Sequence, residues 1–129
     1  DTVRDEFFHR AQLMDFDALT PPKSSEPLTK RFWRRYGRNA INMLEKIREN
    51  PEKAELLIEN SEYLRVEIEH AAEREMVTKL DDFLRRRSKI SLVVRQADIL
   101  AAPGLKEACE ILFGDEADAK LQEYIDTVN

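Results

Sequence analysis

The chain has 129 residues and a net charge of −5, with 42% apolar and 36% charged side chains. That is one domain's length, too apolar for a disordered tail and too acidic for a dedicated nucleic-acid binder. Three glycines, standing far apart at 37, 104 and 114, exclude a Gly-rich phosphate loop and leave too few turn-formers for a many-stranded β fold, and the single Cys109 excludes an internal disulfide and any multi-cysteine metal site.

Residues 1–19 read as a helix carrying Phe7, Phe8, Leu13, Met14 and Phe16, with Thr2 as its cap and acids in the first turn. Thr20-Pro21-Pro22-Lys23-Ser24-Ser25-Glu26-Pro27 then breaks all periodicity and reads as a linker. Phe32, Tyr36, Ala40, Leu44 and Ile47 recur at spacings of four and three, which predicts one long helix over 28–49. Asn50-Pro51 ends it, and Pro51 suits the start of a short helix over 52–58. Ser61 is the expected cap of the next helix, whose stripe is Leu64, Ile68, Ala71, Ala72 and Met76 and whose charged face carries Glu62, Glu67, Glu69, Glu73 and Glu75. Thr78 restarts the helix, with Leu80, Phe83 and Leu84 as the stripe. The β-branched run Ile90-Ser91-Leu92-Val93-Val94 has no strand to pair with, so it reads as a helix end or a buried connection. Pro103-Gly104 opens a helix that Gly114 closes. Asp115 caps the last helix, with Ala117, Leu121, Tyr124, Ile125 and Val128 facing inward.

The expected fold is therefore all-α, a compact bundle of six to seven helices. Residues 1–27 form a leading helix and Pro-rich linker, and 28–129 an all-helical domain. Its core is drawn from Phe32, Tyr36, Leu44, Ile47, Leu64, Ile68, Met76, Leu80, Phe83, Leu84, Leu112, Leu121 and Ile125. Because the chain starts at Asp1, it reads as a piece of a longer protein. No apolar run approaches a membrane span, and nothing resembles a signal peptide.

Little in the chain carries chemistry. His9 and His70 are the only histidines, and H-E-x-x-H is absent. Glu67-x-x-His70 occurs once, whereas a di-metal carboxylate bundle needs the motif twice plus two further glutamates. No serine stands in a G-x-S-x-G context. Cys109 lies in an apolar run and reads as a small buried hydrophobe. Two basic clusters remain. Lys30, Arg31, Arg34, Arg35 and Arg38 surround Phe32, Trp33 and Tyr36, and Arg85-Arg86-Arg87 precedes Lys89. Cations in the N-terminal half of a helix oppose the macrodipole, so the first cluster calls for compensation, and cover by a partner surface is the expected form.

Several short motifs, in order, resemble the C-terminal helical domain of FAD-dependent glycerol-3-phosphate dehydrogenases and α-glycerophosphate oxidases. They are Tyr36-Gly37, then Tyr63-Leu64 leading to Glu75-Met76, then Asp82-Phe83-Leu84-Arg85-Arg86-Arg87-Ser88 against an Asp-x-Leu-x-Arg-Arg-Thr run. The tail from Ala101-Ala102-Pro103 through Leu112, Asp115-Glu116, Leu121 and Tyr124-Ile125 resembles the closing helix pair, so the likeness covers 32–126. Ser88 stands where the family has Thr, and Lys79 where it often has Thr. The resemblance implies a parent that oxidises sn-glycerol 3-phosphate to dihydroxyacetone phosphate, passing hydride to FAD and electrons to a quinone or oxygen. FAD and substrate would be held by preceding domains, so that this chain has no catalytic, cofactor-binding or metal residues of its own. It would be a cap docked on the catalytic FAD domain, with no nucleic acid expected and homo-oligomerisation left open. It would be cytoplasmic; dehydrogenase members of the family are typically peripheral to the membrane, on its inner face for such a parent. The candidate interdomain or structural residues are Tyr36, Gly37, Glu75, Asp82, Arg86, Arg87 and Ser88. Arg86 or Arg87 either pins the segment to a neighbouring domain or closes a buried salt bridge within this one. A stand-alone helical interaction module is the alternative, and a small nucleic-acid-binding helical domain a third reading.

Overall fold

The computed structural model describes residues 1–128. The elements are α1 (Thr2–Leu13), a 3₁₀ turn (Phe16–Leu19), α2 (Leu28–Tyr36), α3 (Asn39–Glu49), a 3₁₀ turn (Pro51–Ala54) and α4 (Arg65–Arg74). Then come α5 (Leu80–Asp82) running into a π-helical turn (Phe83–Arg87), α6 (Ile90–Val93), α7 (Gln96–Ala101), α8 (Leu105–Phe113), a 3₁₀ turn (Gly114–Glu116) and α9 (Ala117–Val128). The fold is all-α. Among the described residues the β structure is confined to one isolated bridge between Leu56 and Leu64. No described helix is long and apolar enough to cross a membrane.

The apolar stripes meet in two clusters rather than one. The first gathers Phe7 and Phe16 with Leu28 and Phe32 of α2, and Met43, Leu44 and Ile47 of α3. The second gathers Leu80, Phe83, Leu84, Ile90 and Ile99 with Leu105 and Cys109 of α8 and Tyr124 of α9. α4 stands between them, giving Val66 to the first and Ile68 and Ala71 to the second. Its first turn is enclosed on all sides, because Val66, Glu67 and Ile68 are all buried. Cys109 is fully buried, and burial pushes its thiol up to about 11, consistent with a small hydrophobe and not a reactive thiol.

Several boundaries differ from the sequence expectation. The long helix over 28–49 is two helices, because Gly37 takes φ +53° and ψ −125° and closes α2 by donating its N–H to the Trp33 carbonyl. An L side chain there would have open space but a strained backbone. The stripe hides the break, since Tyr36 and Ala40 remain four apart across it. Only a 3₁₀ turn forms after Pro51, and the cap of α1 is Asp1, whose carboxylate accepts from the N–H groups of Val3 and Arg4. Ser61 does not cap α4. It is fully buried, donates to the Ile58 carbonyl at 2.7 Å, and holds the turn before the helix. α4 ends at Arg74 with Glu75 already extended, so Met76 leaves the core and stands 83% exposed. Leu112, Leu121 and Ile125 pack at the margin and not in the centre. Ile90–Val93 is a short helix that buries Ile90 and leaves Leu92 outside. As expected, Gly114 closes α8 with φ +57°. Gly104 is demanded by packing: a Cβ there would lie 2.0 Å from the Leu57 carbonyl oxygen.

Leu84 is fully buried in the second cluster, so Leu84→Ala is expected to cost about 2–5 kcal/mol in urea unfolding. A loss under about 0.5 kcal/mol would mean that this cluster does not hold the fold.

Candidate functional site

The polar centre of the molecule lies where α2 crosses the start of α4. Arg31 and Glu67 are both buried there, and they form a bidentate pair. Arg31 Nη1 donates to Glu67 Oε2 at 2.7 Å and Nη2 to Oε1 at 2.5 Å, while Nη2 also reaches the Glu62 carbonyl at 2.7 Å. Tyr36 Oη donates to Glu67 Oε2 at 2.5 Å, and the Leu64 N–H donates to Oε1 at 3.1 Å. The carboxylate thus accepts four hydrogen bonds, which is its full capacity. The last of them is half of a capping box, with Glu67 reaching back to the residue before the helix. Burial works against the Arg31 charge, but the hydrogen bonds and charge of Glu67 outweigh it and raise the guanidinium above its ordinary value. Burial also drives the Tyr36 phenol far up, and the Glu67 charge adds to it, so Tyr36 stays a donor.

One turn further along α2, Arg35 continues the network. Its Nη2 donates to the Arg87 carbonyl at 2.7 Å and to Tyr63 Oη at 3.3 Å, and its guanidinium lies 4.9 Å from the centre of the Tyr63 ring. Arg87 in turn faces Asp82 at 3.4 Å and Glu75 at 3.5 Å. Ser88 Oγ donates to the Phe83 carbonyl at 2.8 Å across the π-helical turn and accepts from the Ile90 N–H at 3.3 Å. A threonine hydroxyl can make the same two bonds, which gives a physical reason for a hydroxyl at this position.

Six of the seven residues singled out from sequence therefore belong to one connected region. Tyr36 binds Glu67, Gly37 ends α2, and Glu75, Asp82, Arg87 and Ser88 surround the end of the π-helical turn. Arg86 stands at the edge of this region: its side chain is 83% exposed, and it joins only through an i,i+4 ion pair with Asp82 at 3.8 Å. Arg87 makes its bridges within this domain, and they lie at the surface.

Sequence reasoning missed the centre of this arrangement. By sequence Arg31 belongs to a cation cluster and Glu67 to the charged face of its helix. A signal for both was present. Arg31 lies three after Leu28, and Glu67 three after Leu64 and four before Ala71, so each charge falls on an apolar stripe. The compensation called for by the cationic stretch is internal to a large extent. Asp17 Oδ1 accepts from the Thr29 N–H at 2.8 Å and Thr20 Oγ from the Leu28 N–H at 3.0 Å, so two side chains from the preceding turn cap α2. Arg34 pairs with Glu26, and Trp33 stacks on Phe7 at 6.0 Å.

The histidines hold no metal geometry, and no cluster of three or more metal-ligating side chains occurs among the described residues. His70 instead meets the Tyr36 ring edge-on at 5.0 Å. Half-burial lowers its pKa from the ordinary 6.5, and Arg74 adds to the effect.

The family model for the C-terminal domain of alpha-glycerophosphate oxidase matches residues 5–118. No curated protein and no solved structure matches the chain.

Two outcomes follow from this geometry. Tyr36→Phe removes one hydrogen bond to the buried carboxylate and is expected to cost about 1–3 kcal/mol in urea unfolding; a neutral change would contradict the bond. His70 holds its proton less tightly when folded than when unfolded. As pH falls through about 6.5 the unfolded chain gains the proton first, so stability declines. The urea midpoint should drop between pH 7.5 and 5.5, and less so in His70→Gln; parallel profiles for the two proteins would contradict the assignment.

Proposed function

The chain belongs to the family of the C-terminal domain of alpha-glycerophosphate oxidase, and on that premise we propose that it is the helical accessory domain of an FAD-dependent glycerol-3-phosphate dehydrogenase. The parent oxidises sn-glycerol 3-phosphate to dihydroxyacetone phosphate, and the FAD that accepts the hydride is held by its catalytic domain. The accessory domain docks on that domain and supports its shape or assembly.

The chemistry of the donors supports placing FAD outside this chain. A dinucleotide cradle needs a glycine-rich turn between a strand and a helix. The three glycines here end α2, end α8 and press against Leu57, and none stands at such a turn. The observation that carries the structural role is the state of the Arg31–Glu67 pair. Every lone pair of the carboxylate is engaged, so Glu67 has no free capacity to act as a base or to hold substrate.

The 129-residue chain is expected to purify colourless and to leave a redox dye unreduced with glycerol 3-phosphate, while the full-length polypeptide carries flavin absorbance and reduces the dye. Flavin bound stoichiometrically by the isolated chain would overturn the assignment. A full-length polypeptide without flavin would favour the stand-alone interaction module.

A further inference from the structure

We propose that α6 and the residues just before it form the docking face, and that its occupant is a segment of the flavin-bearing catalytic domain presenting a carboxylate beside an apolar side chain; this rests on the accessory-domain reading above. The fold needs only positions 90 and 94 of this stretch for its core, and both are buried. Leu92 and Val93 are nevertheless apolar, adjacent, and 72% and 68% exposed. They border a depression of ≈ 250 Å³ that is also lined by Arg35, Lys89, Tyr63 and Glu62.

The charges in this depression define its occupant. Arg35 and Lys89 make no ion pair among the described residues, in a chain whose acids outnumber its basic residues by 26 to 21. Arg35 uses Nη2 on Tyr63 and the Arg87 carbonyl, so its remaining donors are free for an acceptor. Lys89 is exposed and takes a left-handed backbone, φ +59°, at the junction with α6. Two unpaired cations beside two apolar side chains complement an Asp or Glu next to an apolar residue. Glu62 on the same lining disfavours a doubly charged phosphate.

Hydrogen exchange and carbodiimide coupling on the full-length polypeptide test this. Amides of residues 88–95 are expected to exchange at least about ten-fold more slowly in the full-length polypeptide than in the 129-residue chain. Zero-length coupling should join Lys89 to an Asp or Glu outside these 129 residues. Lys89→Glu and Leu92→Asp should return the exchange to the rate of the isolated chain without shifting that chain's urea midpoint, because neither side chain is used in the core. Equal exchange in both proteins, or protection that appears only with vesicles of anionic lipid or with self-association, would overturn the proposal. Flavin absorbance of the same sample separates the two readings. Flavin without protection removes this docking face alone, and protection without flavin removes the enzyme assignment and with it the named occupant, leaving only an occupied face.

Discussion

A buried charge pair is the constraint on which this domain is organised. Removing a guanidinium and a carboxylate from water costs several kcal/mol for each, and their attraction repays that only if the remaining hydrogen-bonding capacity is also filled. Here the carboxylate of Glu67 is filled completely, by Arg31 in two bonds, by Tyr36 and by the Leu64 N–H, while on the guanidinium Nε stays buried without an acceptor and sets a cost against the pair. Three of those four donors come from α2 and the fourth from the start of α4. The arrangement therefore exists only when α2 and α4 lie in one relative position, and that position sets the boundary between the two apolar clusters.

From α4 the same logic extends outward with weaker links. Arg65 pairs with Glu107 of α8, and Lys53 with Glu69 at 2.8 Å. Such pairs are partly solvated and contribute little each, but they act on different neighbours of one helix. The route through Arg35 reaches further along the chain. It runs from α2 to the carbonyl of Arg87, and so fixes the end of the π-helical turn against the helix that carries the buried pair. Tyr63 shares this contact and packs edge-on against Phe83 at 5.5 Å. The depression beside Leu92 and Val93 thus borders the network that runs out from the buried pair, which fits the docking face proposed for it.

Much of the fold was legible in the sequence because it depends on periodicity and on strong local signals. The stripes of 40–47, 64–71 and 80–84, the stop at Gly114 and the burial of Cys109 are all of that kind. What was illegible depends on tertiary context. Gly37 redirects the chain without disturbing the four-residue spacing, so two helices read as one. Met76 continues a stripe past the point where the backbone leaves the helix. Glu67 looked like its acidic neighbours because charge is normally a surface property, and only its position on the stripe of Leu64 and Ala71 set it apart. The family motifs gave the neighbourhood of the site through Tyr36, Asp82, Arg87 and Ser88. They did not give its centre, because neither Arg31 nor Glu67 belongs to a short motif.

The central claim is that Arg31 and Glu67 act as one unit holding α2 to α4, and a double-mutant cycle tests it most directly. Urea unfolding would be measured for Arg31→Met, Glu67→Leu and the double variant. The single changes each leave a buried charge unpaired and should cost about 3–5 kcal/mol, while the double change, which leaves none, should cost clearly less than their sum, with a coupling above about 2 kcal/mol. Single losses below about 1 kcal/mol that simply add would contradict the account, because the two charges would then be neither buried together nor responsible for the crossing of the helices.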